Sequence, residues 1–294
     1  MTQDLTRAVL DRLTDCTDLR FKQVMASLVR HLHDFIRDVK LTEEEWITGI
    51  QFLTKTGQAC TDLRQEFILL SDTLGASMLV VLLNQHRVGD GVEATVQGPY
   101  YWDGAPEMPN GAEIAPGVKG EPAYYSGRLV DVDGTPIANG CLDVWSGDGD
   151  GNYDMQTAGQ TDMLARAKLR TDAQGRYAFW SVRPTSYPVP MDGPVGTMLE
   201  KMGRHPYRPG HIHFILSAEG YEQVVTHLFV SDSPYLDSDA VFGVRDGLIV
   251  DFIRHEPGVA PDGKQMSTPY YTTTYDFRLT PKNDAVRPTT TFDV

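Results

Sequence analysis

Cysteine is nearly absent. Cys16, Cys60 and Cys141 are the only three in 294 residues, and no two form a C-x-x-C pair. This argues against a disulfide framework and for a reducing compartment, so the expected location is the cytoplasm. Positive charge is also scarce: 26 Lys and Arg stand against 40 Asp and Glu, a formal net charge of -14, with no local basic patch. A polyanion would be repelled, so nucleic acid is not an expected partner. Long apolar runs are missing as well. The longest, Met78 to Leu83, falls far short of the ~20 residues that span a bilayer. The first residues, Met1 to Arg7, mix charges of both signs and do not read as a signal peptide. No membrane insertion is expected. Against these absences, a hydrophobic fraction of 41% and a charged fraction of 22% are ordinary for a globular protein. The length suits one large domain or two ordinary ones.

The hydrophobic period changes along the chain. From Phe21 the apolar residues Val24, Met25, Leu28, Val29, Leu32, Phe35, Ile36 and Val39 follow one helix face. Thr42 followed by Glu45 has the form of a capping box opening the next helix. Thr61 or Asp62 is placed to cap a third helix running to about Gln85, apolar on most sides towards its end and therefore buried in this subunit or against another. His31 and His33, two apart on a helix, point in different directions and make a poor metal pair. From Gly89 to about Pro122 the chain is rich in Gly and Pro, a long loop of the kind that often carries function. Short strand candidates follow, separated by turns: Tyr124–Val132, Cys141–Trp145, Arg176–Ser181, His211–Ser217, Gln223–Val230, Leu248–Arg254 and Tyr271–Leu279. The expectation is an α+β chain, with a helical N-terminal part over residues 1–95 and an antiparallel β-sandwich over 96–294.

The sharpest local signal is Arg208-Pro209-Gly210-His211-Ile212-His213. Residues two apart on a strand share a face, so His211 and His213 can present two imidazoles to one metal ion. By itself the pattern reads equally well as two unrelated polar residues. Two tyrosines stand out by context: Tyr153 after Gly151-Asn152, and Tyr187 after Pro184-Thr185-Ser186, each just beyond a strand candidate. Alone, each reads more readily as a packing or loop-anchoring residue.

Together the segments resemble the intradiol ring-cleavage dioxygenase family, whose pattern is a Gly-Asn-Tyr loop, a Pro-x-x-Tyr loop and then Arg-Pro-x-His-x-His. The resemblance covers nearly the whole chain. Phe67 to Gly75, Gly98-Pro99 and Tyr235 to Gly243 are similar to its hydroxyquinol branch. It implies one Fe(III) per subunit, held by Tyr153, Tyr187, His211 and His213. The residue types suit that ion: phenolate oxygen is a hard anionic donor, and two tyrosinates favour ferric over ferrous iron. The set differs from the two-His-one-carboxylate triad of Fe(II) oxygenases and from thiolate-rich structural zinc. The implied reaction is cleavage of hydroxyquinol (benzene-1,2,4-triol) by O2 to maleylacetate, also written 3-hydroxy-cis,cis-muconate, in aromatic catabolism. By position in the motif, Tyr187 is the ligand that the diol displaces and that takes a proton. Arg208 is the group that stabilises developing negative charge. His227 stands where the catechol branch has Gln, as a polar partner in the site or as a satisfied core histidine.

The implied pocket rim is Leu69, Asp72, Gly98, Pro99, Tyr100 and Phe242. Asp72 would accept a hydrogen bond from the third hydroxyl, or merely cap or pair within the helical part. The helices over 1–95 are, by the same resemblance, a homodimer-forming element with room for a phospholipid-like molecule between them. Catechol or a substituted catechol is the alternative substrate. A reading of another class also exists. Ser126 to Val130 and Thr171 to Tyr177 resemble transthyretin-like binding modules, which carry no metal site.

Overall fold

The computed structural model describes residues 2–62, 64–156, 159 and 161–282. The chain divides into two compact units, one reaching Lys55 and the other spanning Thr56–Lys282.

The first unit is helical. It holds α1 (Thr2–Asp11), α2 (Leu19–Val39) and most of α3 (Glu43–Gln58). Asp18 caps α2 by accepting the Phe21 N–H at 2.8 Å. Lys40 closes it in the left-handed region, φ 51°, donating back to the Ile36 and Arg37 carbonyls. The capping box is present: Thr42 Oγ1 accepts the Glu45 N–H at 3.2 Å, and Glu45 Oε2 accepts the Thr42 N–H at 2.9 Å. His33 Nδ1 meets the Thr6 hydroxyl at 2.9 Å. The apolar stripe of α2, including Leu28, Leu32 and Phe35, stays exposed in the single chain.

The expected helix from residue 61 or 62 to 85 is two helices, α4 (Glu66–Thr73) and α5 (Ala76–Asn84), bent 76° at the break. Gly75 makes the break, at φ 74°, where a side chain would be strained. Leu69 and Met78 are buried beside the break, whereas Leu79, Val80, Leu82 and Leu83 on α5 are exposed. No single helix among the described residues is long and apolar enough to cross a membrane.

The rest of the second unit is built on strands β1 (Pro122–Asp131), β2 (Cys141–Trp145), β3 (Arg166–Arg170), β4 (Arg176–Val182), β5 (Tyr187–Pro188), β6 (Tyr207–Arg208), β7 (His211–Ser217), β8 (Val224–Val230), β9 (Ile249–Val250), β10 (Ile253–His255), β11 (Gly258–Val259), β12 (Gln265–Met266), β13 (Tyr270–Thr274) and β14 (Phe277–Leu279). Helix α6 (Pro194–Lys201) lies between β5 and β6. One five-stranded sheet runs β3-β2-β7-β8-β9. The other runs β10-β13-β1-β14, with β4 on the free side of β1. Most pairs are antiparallel as expected, but β13 and β14 join β1 in parallel and β9 joins β8 in parallel. The expected strand over 248–254 is β9 in one sheet and β10 in the other, so this segment carries the chain between the two layers.

Residues from both sheets meet in one core, among them Tyr125, Leu142, Val144, Ala167, Phe179, Phe214 and Phe277. Phe179, Phe214 and Phe277 are fully buried, each contributing roughly 2–3 kcal/mol. This core fixes register: a one-residue slip of β7 would expel Ile212, Phe214 and Leu216 from it.

Candidate active site

Because alternate residues of β7 enter the core, His211, His213 and Ile215 emerge on the opposite face of the sheet. Pairing register places Trp145 of β2 and His227 of β8 on either side of His213. The Trp145 ring stacks on His213 at 4.6 Å, and His227 meets the same ring edge-on at 4.1 Å. Among the described residues, His211, His213 and His227 form the one cluster of His, Cys, Asp or Glu close enough to share an ion, their nitrogens within 4.8 Å of one another.

Two loops bring the tyrosines to these histidines. After β2 the chain closes a tight turn in which Asp148 Oδ1 accepts the N–H groups of Asp150 and Asn152 at 2.9 and 2.8 Å. Gly151 sits at φ 85° in this turn, so close to the second loop that a Cβ would lie 2.4 Å from Tyr187 Cβ. Gln156 Oε1 then holds the Tyr153 N–H at 2.8 Å, and Asp154 is anchored by a buried ion pair to Arg166. The outcome is a Tyr153 hydroxyl 2.8 Å from His213 Nε2 and 3.5 Å from the Tyr187 hydroxyl. Tyr187 is placed by the β5–β6 pair, where its register partner is Arg208. All four expected ligands therefore converge, with Arg208 and His227 beside them.

The hydrogen bonds fix one tautomer. An arginine can only donate, so the 3.0 Å contact from Arg208 Nη1 makes His211 Nε2 an acceptor. His211 Nδ1 then carries the proton and donates it to the Pro209 carbonyl at 2.7 Å. This is the arrangement that metal-binding histidines adopt, with the second nitrogen tied to a carbonyl. Burial, and then the Arg208 charge, lower the His211 pKa to about 3. Burial and neighbouring histidines hold His213 well below its ordinary value. Burial, with His211 and Arg208, does the same for His227. Neither ring nitrogen of His227 has a hydrogen-bond partner, only a weaker contact with the Val96 backbone. Burial pushes Tyr153 well above the ordinary phenol range. Without a cation Tyr153, His211 and His213 are therefore neutral, and a bound cation would reverse the Tyr153 shift.

Arg208 is not a surface group. It is buried and bound to buried Asp239, with Nε to Oδ1 at 3.0 Å and Nη2 to Oδ2 at 3.3 Å. Burial opposes its charge, but Asp239, Tyr187 and Tyr153 more than offset this and raise its pKa.

A cavity of about 480 Å³ opens onto Tyr187 and Tyr100. Of the expected rim, Leu69, Pro99 and Tyr100 line it. Tyr100 also stacks on Tyr153 at 4.6 Å, and Gly98 abuts the edge of His213. Asp72, also expected on the rim, does not line this cavity; it is buried three residues along α4 from Leu69, with burial raising its pKa and a Ser77 hydrogen bond opposing the rise. Phe242 is not part of this cavity. It is half exposed and lines a different cleft.

Sequence reasoning missed Asp239, Trp145 and much of the wall: Arg64, Glu66, Val189, Met191 and Asp192. Trp145 was within reach, since it ends a recognised strand on the face opposite Val144. Asp239 and the wall carry no local signature.

A family profile described as "Dioxygenase" matches residues 96–281, and one described as "Catechol dioxygenase N terminus" matches residues 18–90. The chain is 49% identical to a 6-chlorohydroxyquinol 1,2-dioxygenase of Cupriavidus pinatubonensis, over 95% of this chain and 97% of the relative. It is 40% identical to an intradiol ring-cleavage dioxygenase of Aspergillus niger, over 94% and 84%. The solved structure of a hydroxyquinol 1,2-dioxygenase from Pseudomonas putida superposes with a TM-score of 0.88 at 44% identity, covering 96% of this chain and 99% of that one. With both profiles and near full-length relatives in agreement, the chain belongs to the intradiol ring-cleavage dioxygenase family.

Proposed function

We propose that this protein cleaves hydroxyquinol between its adjacent hydroxyls with O2, giving maleylacetate, and that it holds one Fe(III) per subunit through Tyr153, Tyr187, His211 and His213. The observation that carries the reading is the convergence of two phenols and two imidazoles, with Tyr187 on the cavity wall. The donor spacing fits a single ion. Donors bonded at about 2 Å stand roughly 3 Å apart, and Tyr153 Oη lies 2.8 Å from His213 Nε2 and 3.5 Å from Tyr187 Oη. Bound ferric iron would supply a Lewis acid and a template for the diol.

The chain's own groups have distinct parts. Tyr187 faces the cavity and Tyr153 does not, so Tyr187 is the phenolate placed to take a proton from an incoming diol. Arg208 keeps a buried positive charge beside His211, aimed where negative charge develops on the opening ring. His227, whose ring has only the weak Val96 backbone contact, is left to hydrogen-bond an oxygen atom in the site. Pro99, Tyr100, Leu69 and Val189 wall the ring off from water. Asp72 shares the Leu69 face of α4 and is the proposed acceptor for the third hydroxyl. A site built around that bond discriminates against a diol lacking the group.

Residues 1–95 are proposed as the homodimer-forming part, their exposed apolar stripes meeting a second copy with space for a phospholipid, in a cytoplasmic enzyme. The test is O2 uptake by the iron-loaded protein on hydroxyquinol and on catechol, with an enzyme-free control. Strong preference for hydroxyquinol is expected. Preference for catechol would overturn the role of Asp72, and no uptake on either would overturn the reaction.

A further inference from the structure

The cleft that holds Phe242 has about 520 Å³ of space and lies apart from the substrate cavity. Two guanidiniums line it. Arg204 donates to the Thr73 and Ala240 carbonyls, at 2.5 and 2.8 Å, and Arg245 donates to the Val244 carbonyl at 2.9 Å. Among the described residues neither is paired with a carboxylate, in a chain whose net charge is -14. Arg245 Nε is buried without an acceptor, so its charge is not fully satisfied within the chain. His205 adds a third donor. Its Nδ1 accepts the Tyr207 N–H at 3.1 Å, so Nε2 carries the ring proton.

Two carboxylates also face the cleft. Asp239 is committed to Arg208, and Asp237 is exposed, so positive charge stays in surplus. Between the polar groups the lining is apolar, from Leu236, Val244 and the Phe242 ring, which lies 4.9 Å from the Arg204 guanidinium. Cationic groups beside an apolar lining suit a small organic anion.

We infer that this cleft binds a small dicarboxylate, the class to which a ring-opened product belongs. Only the choice of dicarboxylate over other anions rests on the ring-cleavage reading. The occupant would lie against Asp239, which holds Arg208 in the active site, so it acts on turnover without occupying the substrate cavity.

The test titrates cis,cis-muconate into the iron-loaded protein by calorimetry, with hydroxyquinol saturating the active site under anaerobic conditions. Binding is expected to persist there, to weaken about tenfold or more in Arg245→Gln and in Arg204→Lys, and to exceed that of inorganic phosphate. In aerobic assays muconate lowers kcat at saturating hydroxyquinol. The inference is overturned if hydroxyquinol abolishes muconate binding, if inhibition is purely competitive, if both variants bind like the parent, or if phosphate binds as well as muconate. None of these outcomes depends on which diol is the better substrate. An enzyme inactive on all diols would instead defeat the reaction while leaving the binding measurement readable.

Discussion

Replacing Asp239 with Asn keeps the shape of the side chain and removes its charge. Two oxygens of Asp239 accept four donors: Arg208 Nε at 3.0 Å, Arg208 Nη2 at 3.3 Å, and the N–H groups of Val241 and Gly243 at 3.2 and 2.9 Å. Asparagine offers one oxygen, so donors on the other side would face an NH2 group. Arg208 would also keep a charge with 3% of its side chain exposed and no counterion. Breaking a buried pair by removing one partner costs about 3–5 kcal/mol. The midpoint of urea unfolding of the iron-loaded protein reads this loss. Arg208→Met in the Asp239→Asn background removes the stranded charge, so the double variant should lose less than the two single losses added, by roughly 1–3 kcal/mol. Activity should fall about 100-fold in Asp239→Asn, as when a preorganised charge-stabilising donor is displaced. A loss under about 1 kcal/mol, or strict additivity in the double variant, would refute the view that Asp239 exists to hold the Arg208 charge.

Three further outcomes are expected. Gly151→Ala places a Cβ against Tyr187 at a left-handed φ of 85°; it should cost roughly 1–3 kcal/mol in thermal unfolding and reduce bound iron measured by elemental analysis. His227→Leu removes a buried imidazole with only a weak Val96 backbone contact, so unfolding free energy should stay level or rise while kcat drops on the order of 100-fold; a destabilised variant with normal kcat would assign His227 to packing alone. The metal-free protein should weaken in acid. His211 has a folded pKa of about 3, lowered from 6.5, and His213 and His227 are also lowered. The unfolded chain therefore binds more protons in that window, and stability falls as pH drops from about 6.5 towards 3, by on the order of 1 kcal/mol per pH unit for His211, with His213 and His227 acting in the same direction. Denaturant midpoints that do not move across this window would contradict the neutral, buried histidine cluster.

Much of this site was readable from sequence because its chemistry is written in short patterns. An H-x-H on a strand determines a shared face, and β2 and β7 occupy the residues expected of them. The Thr42–Glu45 box is likewise a local device. Other features depend on distant partners. Hydrophobic period marks a strand but not its neighbour's direction, so the parallel pairing of β13 and β14 with β1 was hidden. The charged pattern of β3, Arg-Ala-Lys-Leu-Arg, did not read as a strand because its outward face holds Arg166 in an ion pair with Asp154. The run from 66 to 84 looked like one helix, since a single glycine inside an apolar stretch does not announce whether it is tolerated or breaks the helix. Phe242 was drawn towards the substrate by a stretch of resemblance, whereas its neighbours in space, Arg204 and Arg245, belong to another cleft.

The central claim is tested most directly by the optical and metal analysis of the purified protein loaded with Fe(III). One iron per subunit is expected, with a visible tyrosinate-to-iron absorption that weakens in Tyr187→Phe and in Tyr153→Phe and disappears in the double variant. A colourless protein, or one whose iron content and spectrum survive both substitutions, would contradict it.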